Sequence, residues 1–167
     1  PRLPLLLVPT TAGTGSEVTP ISIITTGKSE KMGVVSPLIL PDIALLDPTL
    51  TVSVAAHVTA ATGIDAMVHA IEAYTSTSAN NNPISRQLAL QALGLLGKAV
   101  EVAVHAGNNQ QARAAMMLGS MLAGQAFANS PVSAIHSLAY PTGGHFKITK
   151  ALPNARRLAN GLRFNTT

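Results

Sequence analysis

The first 48 residues carry short apolar runs separated by prolines and glycines. Residues 3–9 form a continuous apolar run, and residues 18–26 are rich in β-branched side chains. Residues 32–48 are also apolar, but prolines divide them into short extended pieces. Such runs are typical of strands. The pattern therefore predicts a strand-rich N-terminal part, with the first run as a buried strand.

Beyond residue 48 the apolar positions recur at helical spacing in long alanine-rich segments. Polar stretches rich in Asn, Ser and Gly separate these segments and are typical of loops. The pattern predicts helices over residues 52–76, 83–105 and 109–128, a fourth beginning near Pro131, and a further helical segment over 151–163, which Pro153 and Gly161 interrupt. The fold class is therefore mainly α with a small strand-rich N-terminal part, and the boundary lies near residue 48.

Composition narrows the class of protein. Of the 167 residues 47% are apolar but only 11% are charged, against about 25% charged in typical soluble domains. This difference predicts that other subunits or a missing partner segment cover part of the surface, and a homo-oligomer is expected. The chain has no cysteine, which excludes disulfides and favours a reducing, cytoplasmic location. No apolar run reaches the ~18 residues of a membrane span, so a membrane is not an expected partner. The net charge is +4, but no basic run is interleaved with aromatic residues, so a nucleic acid is not an expected partner either.

The stretch "PTTAGTGSEVT", residues 9–19, follows the first predicted strand. Gly13 and Gly15 allow positive φ and close approach by a ligand. The hydroxyls and backbone N–H groups around them suit a phosphate or a ribose. The alternative is an ordinary glycine-rich turn in which Thr14 or Ser16 caps a helix.

The segment "GIDAMVHAIEAY", residues 63–74, places Asp65 and His69 four positions apart, on one face of a helix. Such groups are costly to bury unless something pairs with them. A carboxylate and an imidazole supply two ligands for a first-row divalent metal, and His136 is the natural third. The alternatives are a core imidazole satisfied by a carbonyl group, or a local hydrogen bond between Asp65 and His69.

Other polar or sulfur-containing residues have structural interpretations. His57 is expected at the surface near a helix start, and His105 at a helix end, where the dipole favours a cation. Glu72 and Arg86 are interpreted as solvated residues or as members of helix–helix pairs. The methionines at 116, 117 and 121 are expected in the core.

Three motifs, "PTTAGTGSEVT", "ATGIDAMVHAIEAYTS" and "HSLAYPTGG", resemble in order and spacing the iron-containing (group III) alcohol dehydrogenases. The resemblance implies an α/β nucleotide-binding domain followed by an all-helical metal domain, as in the dehydroquinate synthase-like architecture. Residues 1–48 would then be the end of the first domain, and residues 49–167 the start of the second. The family's metal ligands are one Asp and three His, which implies Asp65, His69 and His136. Its cofactor-contacting positions correspond to Thr10, Thr11, Gly13, Thr14, Gly15, Ser16 and Lys31.

The sequence departs from the family in two respects. Lys150 occupies the position of the fourth ligand, a histidine in the family, and Ala151 stands where glycine is usual. His145, five residues earlier, is a candidate replacement. The family is also about twice as long, so the chain is interpreted as an internal, truncated portion of such an enzyme.

The resemblance implies a metal-dependent alcohol dehydrogenase that transfers hydride between a small alcohol and its aldehyde or ketone. Its cofactors would be NAD or NADP and a divalent metal, Fe²⁺ by family, with Zn²⁺, Ni²⁺ or Co²⁺ compatible with the ligands. Two alternatives stay open. One is a non-catalytic helical remnant that binds metal and oligomerises. The other is a dehydroquinate synthase-like reaction on a phosphorylated sugar acid.

Overall fold

The computed structural model describes residues 2–26 and 30–130, with Glu30 and Lys31 described by their backbone alone. Within these residues four short strands precede three helices. The elements are β1 (Leu6–Leu7), β2 (Ile21–Thr26), β3 (Glu30–Val35), β4 (Ile43–Ala44), α1 (Ala56–Thr75), α2 (Pro83–His105) and α3 (Gln110–Asn129). The predicted class, mainly α with a small strand part, is confirmed. The helices predicted beyond residue 130 lie outside the described residues.

Local capping sets the ends of the helices. The Asn82 side chain accepts hydrogen bonds from the backbone N–H groups of Ile84 and Ser85, both at 3.0 Å, and the Ser85 hydroxyl accepts one from Asn82 N at 3.1 Å. This capping box starts α2 at the predicted residue. The helix α1 begins later than predicted because residues 48–51 form a 3₁₀ turn, which the Asp47 carboxylate caps at Thr49 N, 2.9 Å away.

The three helices pack around a core built mostly from alanine. Leu96 and Met116 are the largest apolar side chains that this core buries completely or almost completely. Because small residues line the helix contacts, the backbones approach closely: a Cβ added to Gly119 would lie 2.7 Å from Leu96 Cγ. Met117 is buried as predicted, and Met121 packs against the core. Glu72 is fully buried, so its interpretation as a solvated residue is wrong.

The strands form two small sheets. β1 pairs with β4 in parallel, with Leu6 opposite Ile43. β2 and β3 form an antiparallel hairpin in which Thr25 lies opposite Lys31. The N-terminal segment is also tied by its side chains, because Arg2 forms two 2.6 Å hydrogen bonds to the Asp42 carboxylate.

The first strand is not buried, contrary to the prediction from its apolar run. Leu3 is 86% exposed and Leu6 is 51% exposed, and Ile43 on the neighbouring strand is 54% exposed. A parallel strand is normally covered on both faces by helices and flanked by further strands. In the described part of the chain β1 has one neighbour, β4, so Leu6 stays exposed whereas Leu7 is only partly buried.

One helix of the described residues, α2, is long and apolar enough to cross a membrane by length and composition. This is weak support for a span, because the core helix of a soluble protein passes the same test. One face of α2 packs in the alanine core through Ala92, Leu96 and Ala99.

Candidate metal and cofactor site

The loop of residues 10–16 ends in a short 3₁₀ turn, Ser16–Val18. Gly15 precedes the turn in the left-handed conformation at φ 59°, as the sequence predicted. The hydroxyls of Thr14 and Ser16 are 3.1 Å apart, and Ser16 N donates to Thr14 Oγ1 at 3.4 Å. Thr10, Thr14 and Ser16 are exposed. The loop therefore presents polar groups to solvent, although the turn that it starts is too short for a helix N-terminal site.

The two loop glycines are needed for packing against helices. A Cβ on Gly13 would lie 2.7 Å from Thr62 Cβ of α1, and one on Gly15 would lie 2.7 Å from Gly124 Cα of α3. The sequence interpretation gave this space to a ligand, whereas the structure fills it with helix. Contacts of the backbone at Gly13 and Gly15 with a cofactor stay a prediction.

Glu17, which the sequence analysis did not single out, is 4% exposed within the turn after Gly15. Burial raises the pKa of its carboxyl group, because desolvation disfavours the charged form. Its place directly after "GTGS" is the signal that could have drawn attention to it. A buried acid therefore lies next to the exposed loop hydroxyls in this turn.

Asp65 and His69 lie one turn apart in the middle of α1, as predicted. Asp65 is half-buried and His69 is 7% exposed. The His69 ring stacks on Phe127 of α3, with the ring centroids 5.3 Å apart and the planes inclined by 17°. Since Gly13 contacts Thr62, one turn before Asp65, the loop packs on the same helix as this pair. Periodicity in α1 alone could not reveal Phe127, because it belongs to another helix.

A complete metal site cannot be assembled from the described residues, where no group of three or more His, Cys, Asp or Glu side chains converges. His136, His145 and Lys150 lie outside them, so the predicted third and fourth ligands stay predictions. Lys31 lies in β3, and its contact with a cofactor also stays a prediction. Asp65 and His69 supply a carboxylate and an imidazole, a donor set that suits a first-row divalent metal.

Arg113 is a buried residue that the sequence analysis also missed, 3% exposed beneath the loop. Its guanidinium donates to Gly107 O at 2.9 Å, to Thr59 Oγ1 at 2.8 Å and to Val54 O at 3.4 Å. Burial lowers its pKa. With Thr11 it lines a cavity of about 10 Å³. Arg113 therefore joins α3 to the start of α1 on the side where the loop packs.

A larger groove lies between α2 and α3, with a volume of about 560 Å³. Its lining includes Gly94, Leu95, Lys98 and Ala112. Among the described residues, none of the predicted metal or cofactor positions borders this groove, and Asp65, His69 and the loop lie elsewhere.

Comparison with known families identifies two matching segments. The family model described as "Fe-containing alcohol dehydrogenase family, C-terminal" matches residues 59–167. The model described as "Iron-containing alcohol dehydrogenase" matches residues 1–48. The loop falls in the second match, and Asp65 and His69 fall in the first.

Individual relatives agree with these matches. A long-chain-alcohol dehydrogenase of Geobacillus thermodenitrificans is 50% identical over 153 residues, which is 92% of this chain and 38% of that protein. A probable alcohol dehydrogenase of Escherichia coli, EutG, is 42% identical, over 99% of this chain and 42% of its own length. The crystal structure of sulfoacetaldehyde reductase from Bifidobacterium kashiwanohense in complex with NAD⁺ superposes with a TM-score of 0.92 at 35% identity, over 99% of this chain and 44% of that one. The chain thus spans about two-fifths of these relatives.

Proposed function

Because the chain belongs to the iron-containing alcohol dehydrogenase family, we propose that it supplies metal and cofactor residues to an oxidoreductase acting on a small alcohol and its aldehyde or ketone. One observation carries the proposal. The polar loop packs on α1 through Gly13 and Thr62, one turn before the Asp65–His69 pair. A loop with exposed hydroxyls and a pair of metal-ligand side chains therefore share one helix.

The metal ligands within the described residues are Asp65 and His69, and we propose His136 as the third. Phe127 packs flat against the His69 ring and restricts its rotation, which favours a fixed direction for the ring nitrogens. Fe²⁺ is the metal expected from the family description, and Zn²⁺, Ni²⁺ and Co²⁺ suit the same donors. Because an ammonium group is a poor metal ligand, Lys150 leaves the fourth position open, and His145 or a water molecule would fill it.

The cofactor residues are the loop positions from Thr10 to Ser16, with Lys31 as a further contact. The exposed hydroxyls of Thr10, Thr14 and Ser16 can donate to a ribose, a phosphate or a nicotinamide carboxamide. NAD⁺ is bound in the related sulfoacetaldehyde reductase structure, which supports NAD over NADP. We propose a small alcohol or aldehyde as the substrate class, because the related sulfoacetaldehyde reductase is named for a small aldehyde. The Geobacillus relative is instead named for long-chain alcohols.

When bound, the metal supplies Lewis-acid polarisation of the substrate oxygen and the nicotinamide supplies hydride chemistry. The chain's own residues hold and orient these groups. Asp65 and His69 fix a point on α1, and the loop approaches the same helix at Thr62, on the N-terminal side of that point. Helix α3 covers His69 with an aromatic ring, which limits the access of water to the imidazole.

A second candidate is a helical metal-binding protein without turnover, which assembles through its exposed apolar residues. The observation that favours it is the exposure of Leu6 and Ile43 beside a well-packed helical core. Such apolar patches promote association. Under both candidates we expect a homo-oligomer.

The deciding experiment measures metal content in the purified protein, in Asp65→Ala and in His69→Ala, with His57→Ala as the control. His57 is an exposed histidine on the same helix, so its removal should leave the metal in place. We expect about one metal per chain in the wild type and the control, and loss in both site variants. Absence of metal after reconstitution with Fe²⁺, Zn²⁺ and Ni²⁺ would overturn the metal site.

Turnover separates the two candidates. Metal-dependent reduction of NAD⁺ by primary alcohols supports the dehydrogenase. Bound metal without any reduction of NAD⁺ supports the metal-binding protein without turnover.

A further inference from the structure

Helix α3 meets the loop at a contact between two glycines. A Cβ on Gly124 would lie 2.8 Å from Gly15 O, 2.9 Å from Gly15 Cα and 2.9 Å from Val18 Cγ2. Two of these atoms belong to the backbone and cannot rotate away. Gly15 cannot take a side chain either, because its φ of 59° is left-handed and Gly124 Cα occupies the space. The loop therefore rests directly on the backbone of α3.

The same helix contacts His69, a candidate metal ligand, one turn further on. Phe127 follows Gly124 by three positions, which places both on one side of α3, and Phe127 stacks on His69. The helix thus contacts the loop at Gly124 and the candidate metal ligand at Phe127. Because a helix turn is rigid, the position of the loop relative to His69 depends on how closely the loop can approach Gly124.

We propose that Gly124 is a positioning residue for the cofactor: by lacking a side chain it seats the Thr10–Ser16 loop on α3, at a fixed distance from the His69–Phe127 stack. This inference rests on the proposed function, since it assigns the loop to a cofactor. It means that a residue of the helical region sets the position of the cofactor loop, although the hydroxyls that would touch the cofactor belong to the strand-rich region. The residue touches neither cofactor nor metal.

The test compares Gly124→Ala with Gly119→Ala, the same substitution on the same helix. The three atoms nearest to a Cβ on Gly119 would belong to Leu96 and Ala92 of α2 rather than to the loop, the first being Leu96 Cγ at 2.7 Å. Both variants disturb packing, but only the first displaces the loop. Two quantities are measured: hydrogen exchange of the backbone amides of residues 11–19, and the dissociation constant of NAD⁺ in the metal-loaded protein.

We expect Gly124→Ala to speed exchange of the loop amides and to weaken NAD⁺ binding about tenfold, as when one or two hydrogen bonds are lost. Metal affinity should match that of the wild type. Gly119→Ala should leave loop exchange and NAD⁺ affinity unchanged even where it lowers the melting temperature. This separates loop positioning from a general loss of stability.

The inference is overturned if the loop amides of Gly124→Ala exchange at the wild-type rate and the variant binds NAD⁺ with wild-type affinity. It is also overturned if Gly119→Ala shows faster loop exchange and weaker NAD⁺ binding to the same extent as Gly124→Ala. If the wild type binds no NAD⁺, the proposed function fails, and the exchange data alone decide whether Gly124 seats the loop. Should Gly124→Ala fold poorly, both variants are made in a Gly97→Ala background. A Cβ at Gly97 meets nothing within 4 Å, so alanine there should strengthen α2.

Discussion

The helical and strand-rich regions bury their apolar residues to different degrees. In the helices, alanines such as Ala66, Ala92 and Ala123 have no exposed surface, and Leu96 is closed among them. In the strands, Leu6 is 51% exposed although it lies in a continuous apolar run. Similar apolar content thus gives a closed core in one region and an open surface in the other. The helices bury one another's apolar faces within the chain, whereas the strands need further partners to bury theirs.

The loop of residues 10–16 does not follow this division. In sequence it lies between β1 and β2, but Gly13 packs on α1 and Gly15 packs on α3. Its neighbour Glu17 is buried, while the flanking strands carry exposed apolar residues such as Leu6 and Ile24. The loop therefore derives its fixed position from the helices, which explains how a weakly packed region can hold ordered polar groups.

The largest expected effect comes from Leu96→Ala, which would confirm the helices as the source of stability. Removing a fully buried leucine loses transfer free energy and leaves a cavity, so we expect a loss of roughly 2–5 kcal/mol in the free energy of unfolding. Urea denaturation followed by circular dichroism measures it. The control is Leu90→Ala, since Leu90 is 46% exposed on the same helix, with an expected change within about 0.5 kcal/mol. Equal effects of the two substitutions would contradict the comparison between regions.

A smaller effect is expected from Glu17→Gln, which tests how closely the helices enclose the turn. A raised pKa means that the folded state holds the proton more tightly. The carboxyl group therefore favours folding below its ordinary pKa of 4.5 and opposes folding as pH rises through the raised value. The amide avoids this charge, so the variant should be more stable than the wild type at pH 7 and equal to it near pH 4, below the ordinary pKa.

Thermal melting of wild type and Glu17→Gln across this pH range measures the difference. Glu101→Gln is the control, because it makes the same change at an exposed position on α2. A difference between wild type and Glu17→Gln that does not change with pH would mean that the turn is open to water.

The smallest effect is expected at the N-terminal end of the strands. Two hydrogen bonds from Arg2, with a third from Leu5 N at 2.8 Å, lower the pKa of Asp42 to about 2. A lowered pKa stabilises the folded state above the ordinary value of 3.8, and this contribution is lost as pH falls through about 2. Both side chains are partly exposed, so salt should weaken the pair.

Asp42→Asn should therefore speed hydrogen exchange at Leu5 and leave the melting temperature of the helices unchanged. Exchange measured by NMR at pH 5 tests this, with Asp47→Asn as the control at a separate turn. Unchanged exchange at Leu5 in the Asp42 variant would show that strand pairing alone holds the segment. A fall in helix melting would show that the two regions are coupled there.

The helices could be predicted closely because their signals are local. The start of α2 is indicated by the helical spacing of its apolar residues, by Pro83 and by Asn82. Its predicted end at His105 is confirmed. His57 lies at the surface and Met116 in the core, as their positions in the pattern predicted. Asp65 and His69 share a helix for the same reason. Each of these inferences depends on residues within a few turns of one another.

The remaining features depend on distant residues. An apolar run predicts burial only if partners cover it, and for Leu6 the described residues provide a single neighbouring strand. The left-handed φ of Gly15 follows from its residue type, but the helix that fills the adjacent space comes from more than a hundred residues later. The burial of Glu72 and the stacking of Phe127 on His69 likewise arise from helix packing, which periodicity does not specify.

The parallel pairing of β1 with β4 also bears on the order in which the chain folds. Leu6 meets Ile43, so a long segment must be closed into a loop before this pair forms, and that closure costs chain entropy. The pair has only two residues in register on each strand to offset the cost. Contacts within a helix require much shorter closures, and contacts between successive helices can begin at the short turns that join them, so both form faster. Helical structure should therefore appear first, and β1 should join β4 on a scaffold that already exists.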